Sequence, residues 1–87
     1  MEVNITVKPN PFISELTVQI NIETTVIAIL RLTNEKGHVA RMMSCTLQKG
    51  ENSITLNKLS KFASGNYRLE VRLLNGDEIK HIPLVKA

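Results

Sequence analysis

The chain has 87 residues, a net charge of +3 and 43% hydrophobic residues. That predicts one small domain, burying roughly 60–65% of its unfolded surface. Its eleven Lys and Arg are scattered among Glu15, Glu35, Glu51, Glu70, Asp77 and Glu78 rather than gathered in a stripe, which argues against nucleic acid as a partner. With no Trp, two Phe and one Tyr, there is no aromatic platform for stacked bases or sugar rings.

Val3 to Val7 alternates apolar and polar residues and predicts a first strand. It runs into Lys8-Pro9-Asn10-Pro11-Phe12, where two prolines that cannot donate to a ladder end the pairing. This segment is expected to cross from one sheet to the other, with Phe12 packing inward as a plug. Leu16, Val18, Ile20 and Ile22 alternate with Thr17, Gln19 and Asn21, a half-buried strand. Val26 to Leu32 is apolar on both faces at its start and suits a central strand, or one whose outer face is covered. Alternation places Ala28, Leu30 and Leu32 inward and leaves Ile27 and Ile29 outward, as a small sticky patch if nothing covers them.

Asn34-Glu35-Lys36-Gly37 predicts a hairpin turn, and His38 to Leu47 a returning strand. After a turn over Gln48 to Asn52, Ser53 to Leu56 reads as a short strand. Asn57 to Ser64 is a longer connection, with room for one helical turn, from which Leu59 and Phe62 dip into the core. Then comes Gly65-Asn66-Tyr67, opening a run with Tyr67, Leu69, Val71 and Leu73 on one face and Arg68, Glu70 and Arg72 on the other. A Gly two residues before a Tyr at the head of such a strand predicts a tyrosine corner, the hydroxyl returning to the backbone of the preceding loop. Asn75-Gly76 is a strong hairpin signal. Glu78 to Lys86 is a last strand, and Pro83 within it argues for an edge position or a bulge. Seven short strands with regular turns give an all-β, immunoglobulin-like antiparallel sandwich.

No reaction chemistry emerges. His38 and His81 belong to no zinc-binding spacing and read as solvated side chains. Cys45 is the single cysteine, so no disulfide forms within the chain and the compartment stays open. It reads as a small apolar filler. The glycines Gly37, Gly50, Gly65 and Gly76 fall one to a turn, not in a phosphate-binding loop. Only Asp77 and Glu78 are adjacent carboxylates, too few for calcium. The reading is no enzyme, no catalytic or metal site and no cofactor. No apolar run approaches the ~20 residues of a membrane span. The opening Met1-Glu2-Val3-Asn4 is not a signal peptide. The chain therefore either stays where it is made or is a piece of a longer secreted precursor.

Several motifs taken together, and in order, resemble the C-terminal sorting domains of proteins exported by the type IX (Por) secretion system of Bacteroidetes-type bacteria. Val7-Lys8-Pro9-Asn10-Pro11-Phe12 is similar to the family's entry motif, and Leu16-Thr17-Val18 follows it. Leu30-Arg31-Leu32-Thr33-Asn34 and Lys36-Gly37 resemble its central strand and turn. Gly50-Glu51-Asn52 with Ser53 to Leu56 resembles its Gly-x-Asn strand entry. Leu59 and Ser64-Gly65-Asn66-Tyr67 resemble its Gly-x-Tyr corner, and Leu84-Val85-Lys86 its basic-apolar end.

The resemblance implies a recognition domain at the C-terminus of a secreted enzyme or adhesin. The domain is read by outer-membrane export machinery and often removed by a sortase-type cysteine peptidase. It implies a covalently attached N-terminal passenger if the chain is a fragment, and a secreted or cell-surface destination by way of the periplasm. Pro9, Asn10, Pro11, Phe12, Gly37, Gly50, Asn52, Gly65 and Tyr67 are then scaffold positions. Pro83, Leu84, Val85 and Lys86 form the recognition handle, an edge strand able to add to a partner sheet through main-chain hydrogen bonds. The alternative is an immunoglobulin-like binding or structural module of a secreted or surface protein with no export role.

Overall fold

The computed structural model describes residues 3–74, 76 and 79–87. Its seven strands are β1 (Asn4–Lys8), β2 (Leu16–Ile22), β3 (Val26–Asn34), β4 (Val39–Leu47), β5 (Gly50–Leu56), β6 (Gly65–Leu73) and β7 (Ile79–Lys86). They form a three-stranded sheet in the order β1-β2-β5 and a four-stranded sheet in the order β4-β3-β6-β7. Every pairing is antiparallel. The architecture is the expected immunoglobulin-like sandwich. Asn75, Asp77 and Glu78, which hold most of the expected Asn75-Gly76 hairpin, lie outside the described residues.

Period-two alternation built this core. Leu16, Val18, Ile20 and Ile22 of β2 face Ala28, Leu30 and Leu32 of β3 and Leu69, Val71 and Leu73 of β6 across the sandwich, all buried. β3 is a central strand, one of the two placements its double-sided apolar start allowed, with Ile27 turned out and half exposed. The β3–β4 register shifts between Leu32 and Thr33, so that Leu32 faces Arg41 and Thr33 faces Val39. Ala40 is the extra residue of this bulge. Thr33 is buried as well as Leu32, and its hydroxyl donates to the Arg68 carbonyl at 3.3 Å.

Three expectations need correction. The Pro9–Phe12 segment does not change sheets between strands, because β1 and β2 pair with each other, Val7 opposite Val18. It swings across the end of the sandwich to touch β7, where Phe12 bridges Lys86, and then returns. β5 is longer than Ser53–Leu56 because Gly50 to Asn52 already pair with β2. The connection from Asn57 to Ser64 makes turns and bends without a helical turn, and Lys58 takes a positive φ of 60°. Leu59 is nevertheless fully buried and Phe62 packs on the core, as anticipated.

Candidate functional site

The strand directions divide the loops between two poles. The segments after β1, after β3 and after β5 meet the end of β7 at one pole. The motif residues Pro9 to Phe12, Gly37, Gly65 and Tyr67 therefore gather there with Pro83 to Lys86, although they are spread over the whole sequence. Gly50 and Asn52 lie at the other pole, where β4 turns into β5.

The aromatic residues of the chain meet at the first pole. Phe12 stands edge-on to Tyr67 with ring centroids 5.8 Å apart, and Phe62 stacks on Tyr67 at 6.1 Å. Arg41 lays its guanidinium over Phe62, 5.6 Å from the ring centroid, a cation–π contact. The same guanidinium donates to the carbonyls of Asn57 at 2.9 Å and Lys58 at 3.4 Å. Sequence reading assigned Arg41 nothing. The signal was there: alternation back from Leu47 through Cys45 and Met43 puts position 41 inward, and an inward arginine near a strand start must find carbonyls. The Tyr67 hydroxyl donates to the Ala63 carbonyl at 2.8 Å, which makes the expected tyrosine corner. Tyr67→Phe is expected to cost about 1–2 kcal/mol in chemical denaturation, since it leaves that carbonyl without its donor. A neutral result would mean that only the ring packing matters. Gly65 holds a φ of +140°, and a Cβ there would meet Glu35 Oε1 at 3.2 Å, so the corner tolerates no side chain without adjustment.

A set of hydrogen bonds clamps the entry segment onto β7. The Phe12 amide donates to the Val85 carbonyl and the Ala87 amide donates to the Phe12 carbonyl, each at 2.9 Å. Asn10 extends this ladder by side chain: its Oδ1 accepts from the Val85 amide at 2.9 Å, and its Nδ2 donates to the Pro83 carbonyl at 3.5 Å. β7 is an edge strand, the first of the two placements that Pro83 left open. Odd-numbered residues turn their main-chain groups outward, so Pro83 sits where a missing N–H breaks no pairing with β6. At Val85 and Ala87 those outward groups are already bonded, so this stretch is not an open edge for strand addition. Of the four handle residues, Leu84 and Lys86 are buried, and Pro83 and Val85 are exposed. The Lys86 ammonium donates to the Ala87 carbonyl at 2.9 Å.

Two more asparagines replace missing backbone partners. Asn34 Oδ1 accepts from the amides of Lys36 at 3.0 Å and His38 at 2.9 Å, closing the β3–β4 turn. Asn52 pairs with both main-chain groups of Gln48, accepting from its amide and donating to its carbonyl, each at 2.9 Å. It also donates to the carbonyls of Ile20 at 3.2 Å and Gly50 at 3.3 Å. A side-chain amide carries the donor and acceptor of a peptide group, which is why asparagine serves at Asn10, Asn34 and Asn52.

Among the described residues no three His, Cys, Asp or Glu side chains gather as a metal site would require. His38 and His81 are exposed and lie apart, His38 in the connection before β4 and His81 within β7. Burial pushes the Cys45 thiol above its ordinary pKa, the opposite of an activated nucleophile. No described helix is long and apolar enough to cross a membrane.

The family model described as "Secretion system C-terminal sorting domain" matches residues 6–84. The chain belongs to this family. It is a C-terminal sorting signal of the type IX secretion system, recognised by that machinery, and the precursor of which it forms part is secreted or displayed at the cell surface. A search of curated proteins finds no match. The sorting-domain family points to a recognition role rather than a catalytic one. In this sorting domain the entry motif, the Gly-x-Tyr corner and the basic-apolar end form one bonded assembly.

Proposed function

We propose that the chain acts as one non-catalytic recognition domain, and that the export machinery reads the pole where Pro9–Phe12 grips β7, through the outward side chains of Pro83 and Val85. The clamp is the observation that carries this reading. It fixes the last strand to the entry segment through main-chain bonds at Phe12, Val85 and Ala87, and so presents Pro83 and Val85 rigidly. Leu84 and Lys86 serve by anchoring the strand from within. Non-catalytic action is supported by the family, whose domains are sorting signals. A passenger joined upstream would enter near Val3, at the opposite pole, and leave the clamp uncovered. A sortase-type peptidase acting on such a precursor would cut before β1, without unfolding the sandwich.

The test is a reporter carrying a signal peptide and residues 1–87, expressed in a type IX-competent host. Export well above that of the same reporter with an unrelated sandwich is expected, and Pro83→Asp with Val85→Asp is expected to abolish the excess. Equal export of the two reporters would sink the sorting role. Full export of the doubly substituted chain, with its fold intact, would sink the site.

A further inference from the structure

The two outer faces of the sandwich differ in chemistry. Alternation turns Thr6, Thr17, Gln19, Asn21, Ser53 and Thr55 outward from the three-stranded sheet, a surface of hydroxyls and amides that water solvates well. The four-stranded sheet turns apolar side chains outward instead. Val39 is 44% exposed, Met42 60% and Ile79 41%. Together with Ile29 they line a depression of about 440 Å³, whose remaining walls are Arg31, Glu70 and Arg72. Ile29 lines it from β3, between Ser44 of β4 and Arg72 of β6 in register. Apolar surface of this kind, rimmed by charge, marks contacts.

The charges say what kind of contact. Arg31 meets Glu70 at 3.6 Å, so the acid that the described residues place on this face is already matched. Arg72 has no carboxylate within ion-pair distance among the described residues, and neither has Arg68, which lies opposite Pro83 in register on the same face. Among the described residues, three arginines against one glutamate leave an excess of positive charge beside these apolar side chains. A second copy of the chain would bring the same excess against itself, which electrostatic complementarity disfavours. The outward positions of β7 continue from Ile79 through His81 to Pro83 and Val85.

We propose that the outer face of the four-stranded sheet is a second docking surface, fitted to a protein patch with apolar side chains flanked by carboxylates. Its apolar residues enter beside Ile29 and Met42, and its carboxylates meet Arg72 and Arg68. That this patch belongs to the export machinery rests on the sorting reading; the chemistry of the face does not.

Two arms separate these. In the first, the isotope-labelled chain is titrated by NMR with a short peptide alternating leucine and glutamate, and with its lysine-for-glutamate counterpart. The acidic peptide is expected to shift the amides of Ile29, Met42, Arg72 and Ile79, and added salt to weaken it. Arg72→Glu is expected to reduce its affinity about tenfold, as loss of a well-placed charge pair does. No shift, shifts centred on Thr17 and Ser53, or an equal response to the basic peptide overturns the proposal. So does concentration-dependent self-association through this face, which would make a second copy the occupant. In the second arm, Met42→Glu and Arg72→Glu are placed in the export reporter beside Ser53→Glu and Thr55→Glu on the other face, all four checked for an unchanged melting temperature. Loss of export with the first pair alone supports the proposal, and equal export by all four overturns the assignment to the machinery. Failure of the unaltered chain to be exported condemns the sorting reading, and the peptide arm then decides the face.

Discussion

Phe12→Ala is expected to cost about 3–5 kcal/mol of folding stability, the range for deleting a fully buried aromatic side chain. The ring is wholly buried, and it closes the end of the sandwich against Tyr67. Emptying it leaves a cavity that Tyr67 and Leu59 cannot fill, because both are pinned by hydrogen bonds, Tyr67 to Ala63 and the Leu59 amide to the Ser14 carbonyl. The same residue holds β7 by its main chain, so the loss should not remain local. Hydrogen exchange at the Ala87 amide, which donates to the Phe12 carbonyl, is expected to quicken along with the loss measured in urea. Asn10→Ala separates the two roles. Asn10 is exposed and contributes only side-chain bonds to β7, so its removal is expected to quicken exchange at Val85 while costing about 1 kcal/mol. A Phe12→Ala chain that loses less than about 1 kcal/mol would show that the plug fills no essential volume.

Asn52→Asp is expected to cost about 2–3 kcal/mol at neutral pH, and to recover part of that loss on acidification. The substitution keeps the acceptor that the Gln48 amide uses but removes the donor that serves three carbonyls, those of Gln48, Ile20 and Gly50. A carboxylate in that place sets negative charge against carbonyl oxygens, which penalises its ionised form and raises its folded pKa above the unfolded value. A group shifted in that direction has its stabilising form at low pH, so the deficit shrinks as pH falls through the raised folded pKa and grows again above it. Denaturation curves of both chains at neutral and mildly acidic pH check this. A deficit independent of pH would mean that Asn52 acts through shape alone.

These two positions mark how far the sequence could be read. Strand existence followed from short-range alternation: β2 begins and ends where Leu16 to Ile22 alternate, and the inward set of β6 is the predicted Tyr67, Leu69, Val71 and Leu73. The tyrosine corner was legible for the same reason, since its hydrogen bond spans four residues, from Tyr67 to Ala63. The family motifs were legible as an ordered set, and the family match over residues 6–84 agrees with them. The course of Pro9–Phe12 was not. Two prolines announce that a strand stops, but nothing local states where the chain goes next. The Asn10 bond to Val85 joins residues 75 apart in sequence.

The handle divides along the same line. That β7 lies at an edge or bulges was written in Pro83, because a residue without an N–H breaks a regular interior ladder; the strand order decided for the edge. That its outer edge is closed at Val85 and Ala87 was not written there, because the groups that close it belong to the other end of the chain. Likewise the outward set Ile27, Ile29 and Arg31 could be read from β3 alone. That Met42, Arg72 and Ile79 line one depression with Ile29 depends on the order β4-β3-β6-β7. Local alternation and turn chemistry determined that this protein is a seven-stranded sandwich with a tyrosine corner, because those interactions are made within a few residues. Only the tertiary structure decided which edges stay open and which face gathers apolar surface beside arginines unmatched among the described residues, because those properties depend on pairings between residues far apart in the chain.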